Sequence, residues 1–189
     1  MAYTNTAAVR TYLDISGAAD DDLIETLIDA AQAAIDNHCH RTFEASADST
    51  KYFDFSADYV DGDTLWLDDE ICSITTVTNG DGVAVSSSEY TTIPRNAGRF
   101  FGIRILSNSG KYWTYSDEWM DAIEVTGKWA WSTTAPDDVV QACKRLASFY
   151  YKQRDQQMFD VMAIEAGTVI TPVGLPLDVQ RILAPYVKP

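Results

Sequence analysis

The sequence is poor in several features by which whole protein classes are recognised. Its only cysteines, Cys39, Cys72 and Cys143, lie far apart and form no CxxC pair. Neither a disulfide framework nor a paired-cysteine zinc site is therefore predicted, and reduced thiols are expected. No run of about 18 apolar residues occurs, and residues 1–10 lack the basic and then apolar order of a secretory signal. We expect a soluble protein that is made in a cytoplasm and does not bind membranes.

Basic residues are also scarce. The chain has 14 Lys and Arg against 28 Asp and Glu, which gives a net charge of −14. The electrostatic field of such a chain disfavours tight binding to DNA or to anionic lipid, although DNA can pass by without binding. The charge is uneven, with seven acidic and two basic residues in 1–43, fifteen and six in 44–135, and six and six in 136–189. The last third is the part best suited to contact another protein.

Motifs of catalysis are missing as well. The sequence contains no GxSxG, Walker A or GxGxxG pattern. Its only histidines, His38 and His40, flank Cys39 at the end of a predicted helix, where a helix C-terminus explains them better than a metal cluster does. No enzymatic activity, cofactor, catalytic residue or metal ligand is predicted.

Hydrophobic residues make up 46% of the chain, enough to build a core. Asn5 or Thr6 can cap a first helix that ends near Leu13, and Asp20 can cap a second that runs to about Cys39. In the second, apolar residues recur at three- and four-residue steps, as on one face of a helix. Pro136 opens a third helix to about Gln157, and residues 176–183 form a fourth, short one.

The middle of the chain has a different composition, rich in Gly, Ser, Thr, Asp, Tyr and Trp. Strands are predicted at residues 52–55, 64–67, 71–78, 100–106 and 122–128 from their period-two segments and β-forming residues. Residues 79–82 (NGDG) form a strong turn signal between two of them. This stretch is predicted to be a small antiparallel β-module.

The fold class predicted from these elements is α+β: a bundle of three to four helices with the β-module inserted between the second and third helices. Residues 1–43 and 136–160 would form the helical core, residues 44–135 the β-rich insertion, and residues 161–189 a C-terminal connector with its short helix. Residues 159–174 have no clear periodicity and are predicted to be extended or mobile.

The third helix is apolar over more than half of its circumference, which is wider than one core-facing stripe requires. We interpret this width as burial on two sides, one against its own domain and one against a neighbouring subunit. The predicted subunit contact consists of Val140, Phe149 and Tyr151.

Two other interpretations of the β-module remain open. Its tryptophans and tyrosines could form a carbohydrate- or receptor-binding surface, although such rings more often fill cores or protein interfaces. The acidic patch at residues 58–70 could bind a cation and support metal-assisted hydrolysis, but its spacing does not match an EF-hand loop. A solvated acidic loop is the simpler interpretation of the patch.

Several segments, in order along almost the whole chain, resemble the head-to-tail connector (adaptor, or head-completion) proteins of long-tailed bacteriophages. The N-terminal segments are 9–15 (VRTYLDI), 20–24 (DDDLI) and 27–31 (LIDAA). The middle segments are 65–67 (LWL), 71–77 (ICSITTV) and 125–129 (VTGKW), the last followed by Ala130 where family members often have Gly. The closing segments are 136–142 (PDDVVQA), 175–179 (LPLDV) and 182–186 (ILAPY).

The resemblance implies a structural subunit of the virion neck that forms a ring, expected to hold about twelve copies. The ring would sit beneath the portal protein, contact a tail terminator or second neck protein on its other face, and line the channel through which DNA leaves. In such relatives the C-terminal segment reaches toward the portal. The matching portal-interface residues of this chain are Leu175, Pro176, Val179, Ile182, Leu183, Pro185 and Tyr186.

Overall fold

The computed structural model describes residues 2–45, 47–156, 162–164, 167–169 and 174–188. The chain forms two compact units. The first, the helical unit, combines Met1–Arg41 with Ala135–Pro189, and the second, the β unit, is Thr42–Thr134. Each has its own core.

The helical unit contains α1 (Thr6–Leu13), α2 (Asp21–Cys39), α3 (Asp137–Gln156) and α4 (Leu177–Leu183), followed by a 3-10 turn at Ala184–Tyr186. Helix α3 packs against the other three helices. Its buried side chains include Val139, Leu146 and Ala147, and α2, which packs against it, buries Ile28 and Ile35. The unit is thus a small bundle arranged around α3.

Local signals explain where the first two helices begin and end. The Asn5 side chain accepts a hydrogen bond from the Ala8 amide at 2.9 Å and so caps α1, as predicted. Asp14 and His40 both adopt left-handed backbone conformations just after α1 and α2, which is a common way to end a helix. Asp20 precedes α2, but its carboxylate makes no capping hydrogen bond.

The β unit contains β1 (Ser49–Phe53), β2 (Val60–Asp61), β3 (Thr64–Ile71), β4 (Ser73–Thr78), β5 (Tyr90–Ile93), β6 (Phe100–Ile105) and β7 (Ile123–Lys128). A three-stranded sheet has the order β1-β7-β4, and a four-stranded sheet has the order β2-β3-β6-β5. All pairs within them are antiparallel. The α+β class with antiparallel sheets and four helices is confirmed.

One apolar core joins the two sheets of the β unit. Leu65 and Ile103, which pair across β3 and β6, are fully buried, as are Ile123 and Val125 of β7. The predicted turn at residues 79–82 is closed by a hydrogen bond from the Gly82 amide to the Asn79 carbonyl at 2.8 Å, with Gly82 at φ 76°. Because only glycine adopts this conformation without strain, the turn signal and the geometry agree.

Two parts of the β-structure differ from the predictions. The run 71–78 is not one strand, because the chain passes from β3 to β4 at Cys72, whose amide bonds to the Lys128 carbonyl at 2.9 Å. Strands β2 and β5 carry no alternating pattern and were not predicted. Within the connector 159–174, which was predicted to be extended or mobile, the described residues include two paired antiparallel strands, β8 (Met162–Ile164) and β9 (Gly167–Val169). Much of the remainder lies outside the described residues.

Candidate assembly surfaces

The C-terminal segment is held on the helical unit by both apolar and polar contacts. Val179 and Leu183 on one face of α4 are 1% and 0% exposed. The Tyr186 hydroxyl lies 2.8 and 2.7 Å from the two carboxylate oxygens of Asp138, to which it donates. The Lys188 amide donates to the Cys39 carbonyl at 3.0 Å. The segment is therefore attached at both α3 and the end of α2.

The contact with Asp138 also affects the pKa of Tyr186. Burial, followed by the hydrogen bond to Asp138 and the charge of that carboxylate, raises the pKa of Tyr186 to about 12. The phenol is consequently a neutral donor throughout the physiological pH range.

The residues predicted to contact the portal fall into two groups. Val179 and Leu183 face the core of the helical unit. The rest keep partial or full exposure: Leu175, Pro176, Ile182, Pro185 and Tyr186. Leu177 was not among the residues predicted to contact the portal, although it is 67% exposed at the start of α4. Its position as a leucine on the polar side of a short helix could have indicated this exposure. The assignment of this segment to the portal stays a prediction.

The residues predicted to contact a neighbouring subunit all lie on α3. Val140 and Phe149 are partly exposed, whereas Tyr151 is 9% exposed and its hydroxyl donates to Asp20 at 2.6 Å. The apolar width of α3 has a cause within the chain itself, because α1, α2 and α4 all pack on this helix. Width alone therefore does not require a second subunit, and the subunit contact stays a prediction.

Asp20, Tyr151 and Arg154 form a polar cluster that joins the start of α2 to the last turns of α3. Arg154 lies 3.5 Å from the Asp20 carboxylate, and its guanidinium carbon is 4.6 Å from the centre of the Tyr151 ring. The hydrogen bond from Tyr151 lowers the pKa of Asp20, burial opposes this, and Arg154 lowers it further. The side chain expected to cap α2 instead ties two helices together.

The acidic patch at residues 58–70 is divided among different contacts. Glu70 is buried and lies 3.3 Å from Arg99, whose guanidinium carbon is 3.3 Å from the centre of the Trp131 ring. Asp69 pairs with Lys51 at 2.5 Å, and Asp68 accepts a hydrogen bond from Tyr59. Within the described residues no three His, Cys, Asp or Glu side chains are placed to hold a metal ion.

The tryptophans do not share one surface. Trp113 is buried and donates to the Asp63 carbonyl at 2.9 Å. Trp129 donates to Ser49 and lies beside Lys51, and Trp131 stacks with Arg99. Only Trp66 and Trp119 among the five are more than 40% exposed. Core and local packing thus account for three of the five rings.

The His38, Cys39 and His40 sequence lies where α2 ends. Cys39 is buried, and burial raises the pKa of its thiol to about 11, so that the thiol stays protonated. His40 adopts the left-handed conformation after the helix. None of the helices in the described ranges is long and apolar enough to cross a membrane.

A family model for the head completion protein matches residues 3–188. The chain belongs to the head completion protein family. This assignment confirms the resemblance seen in the sequence segments. The protein accordingly has a structural role in head completion. No curated protein matches the sequence.

Solved structures share the fold. A chain in the "Neck of empty GTA particle computed with C6 symmetry" is 16% identical with a TM-score of 0.61, over 99% of this chain and 90% of that one. A chain in the "Neck of native GTA particle computed with C12 symmetry" is 17% identical with a TM-score of 0.55, over 94% of this chain and 86% of that one. A chain in the "Virion of native gene transfer agent (GTA) particle" is 18% identical with a TM-score of 0.55, over 99% of this chain and 90% of that one. At these identities the likeness establishes a common fold.

Proposed function

We propose that this head completion protein assembles into a closed ring of about twelve copies that joins the portal to a tail terminator or second neck protein. The observation that carries this proposal is the family match over residues 3–188. The neighbouring neck structures, which were computed with sixfold and twelvefold symmetry, support a cyclic assembly for a chain of this fold.

The C-terminal segment is the proposed portal contact. Its buried residues, Val179 and Leu183, fix it to the helical unit, while Leu177 and Pro185 remain exposed on its outer side. An apolar residue that is 67% exposed on a short, firmly attached helix is suited to enter a pocket on a partner.

The net charge fits the proposed passage of DNA through the ring. With 28 acidic and 14 basic residues, the protein lacks the surplus of cations whose contact with phosphates would release counterions and retain the DNA. An acidic lumen would keep the DNA mobile during ejection.

The experiment combines the full-length chain with purified portal-bearing heads. The ring should have a mass of about 250 kDa, twelve times the 21.0 kDa of one chain, and should appear as a ring in negative stain. A chain that remains a 21.0 kDa monomer both alone and with heads would contradict the proposal.

The portal contact is tested by a substitution in place of a truncation, since removing residues 175–189 would uncover the core that Val179 and Leu183 fill. Leu177→Asp should abolish co-sedimentation with heads, because it places a charge in the apolar contact. Val83→Asp, at an apolar site of the β unit that is 46% exposed, is the matched control and should co-sediment normally. Equal capture of both variants would contradict the assignment.

A further inference from the structure

A cleft of about 200 Å³ opens in the helical unit between α1, α3 and the start of α4. Its walls include the rings of Tyr12 and Phe149 and the ring of Pro176. Two cations, Arg145 and Lys152, lie among them. A concave site with apolar walls and a few polar groups is the usual form of a binding site.

The polar groups of the cleft have unused hydrogen-bonding capacity. Ser148 is 3% exposed, and its hydroxyl has no partner among the described residues. The buried Nε of Arg145 likewise has none, although the Nη1 of the same guanidinium pairs with Asp178 at 3.0 Å. Lys152 is exposed and forms no ion pair within the described part of the chain. Since unpartnered buried donors are costly, the cleft is prepared to accept an anionic group.

A loop of the β unit has complementary chemistry. Residues 115–121 (YSDEWMD) carry three carboxylates and no cation, and Tyr115, Trp119 and Met120 are 43–52% exposed. The Asp117 carboxylate is exposed and has no hydrogen bond or ion pair among the described residues.

The conformation of this loop is fixed by hydrogen bonds to its neighbours. The Phe55 amide donates to the Trp119 carbonyl at 2.7 Å, and the Asp121 amide donates to the Asp54 carboxylate at 2.8 Å. The rings of Phe55 and Tyr115 lie 5.2 Å apart. Exposed aromatic residues on a fixed loop lose little entropy on binding.

From these observations we infer that the cleft of Arg145, Ser148 and Lys152 is an anion-binding site that takes a carboxylate of loop 115–121 from a second copy of this chain. The two surfaces differ, as successive subunits of a cyclic assembly require. The charge is complementary, because the cleft supplies two cations against the single carboxylate of Asp178 while the loop supplies three carboxylates. This inference rests on the ring proposed above for its biological setting, but the site can be tested in the isolated chain.

The probe is a fluorescein-labelled peptide of residues 115–121 with blocked ends, titrated with the full-length chain and followed by fluorescence anisotropy. Lys152→Gln should weaken binding about tenfold, because it removes a charge-assisted hydrogen bond. Asp178→Asn should strengthen binding, because it removes the carboxylate that competes for Arg145. Lys144→Gln, on the same helix but outside the cleft, is the control and should bind as the unmodified chain does.

A second peptide tests whether the carboxylates of the loop are what the cleft binds. It carries the substitutions Asp117→Asn, Glu118→Gln and Asp121→Asn, which remove the three charges and keep the size of each side chain. This peptide should bind at least about tenfold more weakly than the unmodified one. Equal binding of both peptides, or equal affinities for all the variants of the chain, would overturn the inference.

A charge exchange tests the same contact during assembly. Lys152→Glu should abolish ring formation, and combining it with Asp117→Lys should restore it. If wild-type rings form but Lys152→Glu leaves them intact, or Asp117→Lys fails to restore them, the inferred contact is wrong while the ring stands. If the wild type forms no ring at all, the proposed function fails, and the peptide titration still decides whether the cleft binds the loop.

Discussion

Removing a single oxygen atom should weaken the attachment of the C-terminal segment to the helical unit. Tyr186→Phe removes the hydroxyl that donates to Asp138 and leaves the ring in place. A hydrogen bond to a charged acceptor contributes about 1.5–3 kcal/mol, and partial exposure of Tyr186 places it near the lower end. A loss of about 1.5 kcal/mol corresponds to a roughly tenfold larger population in which the segment is detached.

Hydrogen exchange at the Lys188 amide measures this population, because that amide donates to the Cys39 carbonyl only while the segment is attached. In the regime where exchange reports opening equilibria, it should become about tenfold faster in Tyr186→Phe. Tyr112→Phe, which changes a ring that is 68% exposed, should leave the rate unaltered. Unchanged exchange at Lys188 in Tyr186→Phe would refute the idea that the hydroxyl holds the segment.

Three further predictions concern ionisation and packing. The pKa of Tyr186 is raised to about 12 in the folded chain, so its contribution to stability is complete below about pH 10 and is lost as the pH rises toward 12. The difference in absorbance at 295 nm between the wild type and Tyr186→Phe should therefore titrate near pH 12. A midpoint near pH 10 would contradict this. Asp20 has a lowered pKa, so its contribution to stability is present above the unfolded value of about 3.9 and is lost as the pH falls through the folded value. Urea unfolding should show that Asp20→Asn destabilises the chain more at pH 6 than at pH 3, and an equal effect at both pH values would contradict this. A Cβ on Gly127 would collide with the Ser73 carbonyl and lie 2.8 Å from Ile71 Cδ1. Gly127→Ala should therefore reduce the free energy of unfolding by about 3 kcal/mol or more. Gly98 has open space around it, so Gly98→Ala should change the free energy of unfolding by no more than about 0.5 kcal/mol.

The elements that could be predicted are those with local causes. Helix α1 has its own capping residue, Asn5, and α2 has an apolar stripe that depends only on spacing along the chain. Strands β2 and β5 could not be predicted, because the first has two residues and the second is partly exposed at every position. Their strand geometry comes from hydrogen-bonded pairing with β3 and β6 and not from a residue pattern of their own.

The interpretation of α3 shows a second limit. A wide apolar surface indicates that a helix is covered on several sides, but it does not identify what covers it. Here α1, α2 and α4 cover α3 within one chain, while Val140 and Phe149 retain some exposure. The exposed fraction of each side chain, which requires the fold, separates residues that are available to a neighbour from those already used.

The acidic residues lead to a related conclusion about charge. Asp138 and Asp20 hold tyrosines that are 48 and 131 positions away in the sequence, Glu70 is buried against Arg99, and Asp117 is exposed on a fixed loop. The amino-acid composition does not distinguish these four carboxylates, because their roles depend on long-range contacts that no local sequence pattern encodes. Repulsion of DNA, in contrast, depends on the summed charge, so the net charge of −14 predicts it whichever acids are paired. The net charge therefore bears on DNA passage through the proposed ring, whereas the proposed assembly contacts depend on individual residues whose surroundings only the fold determines.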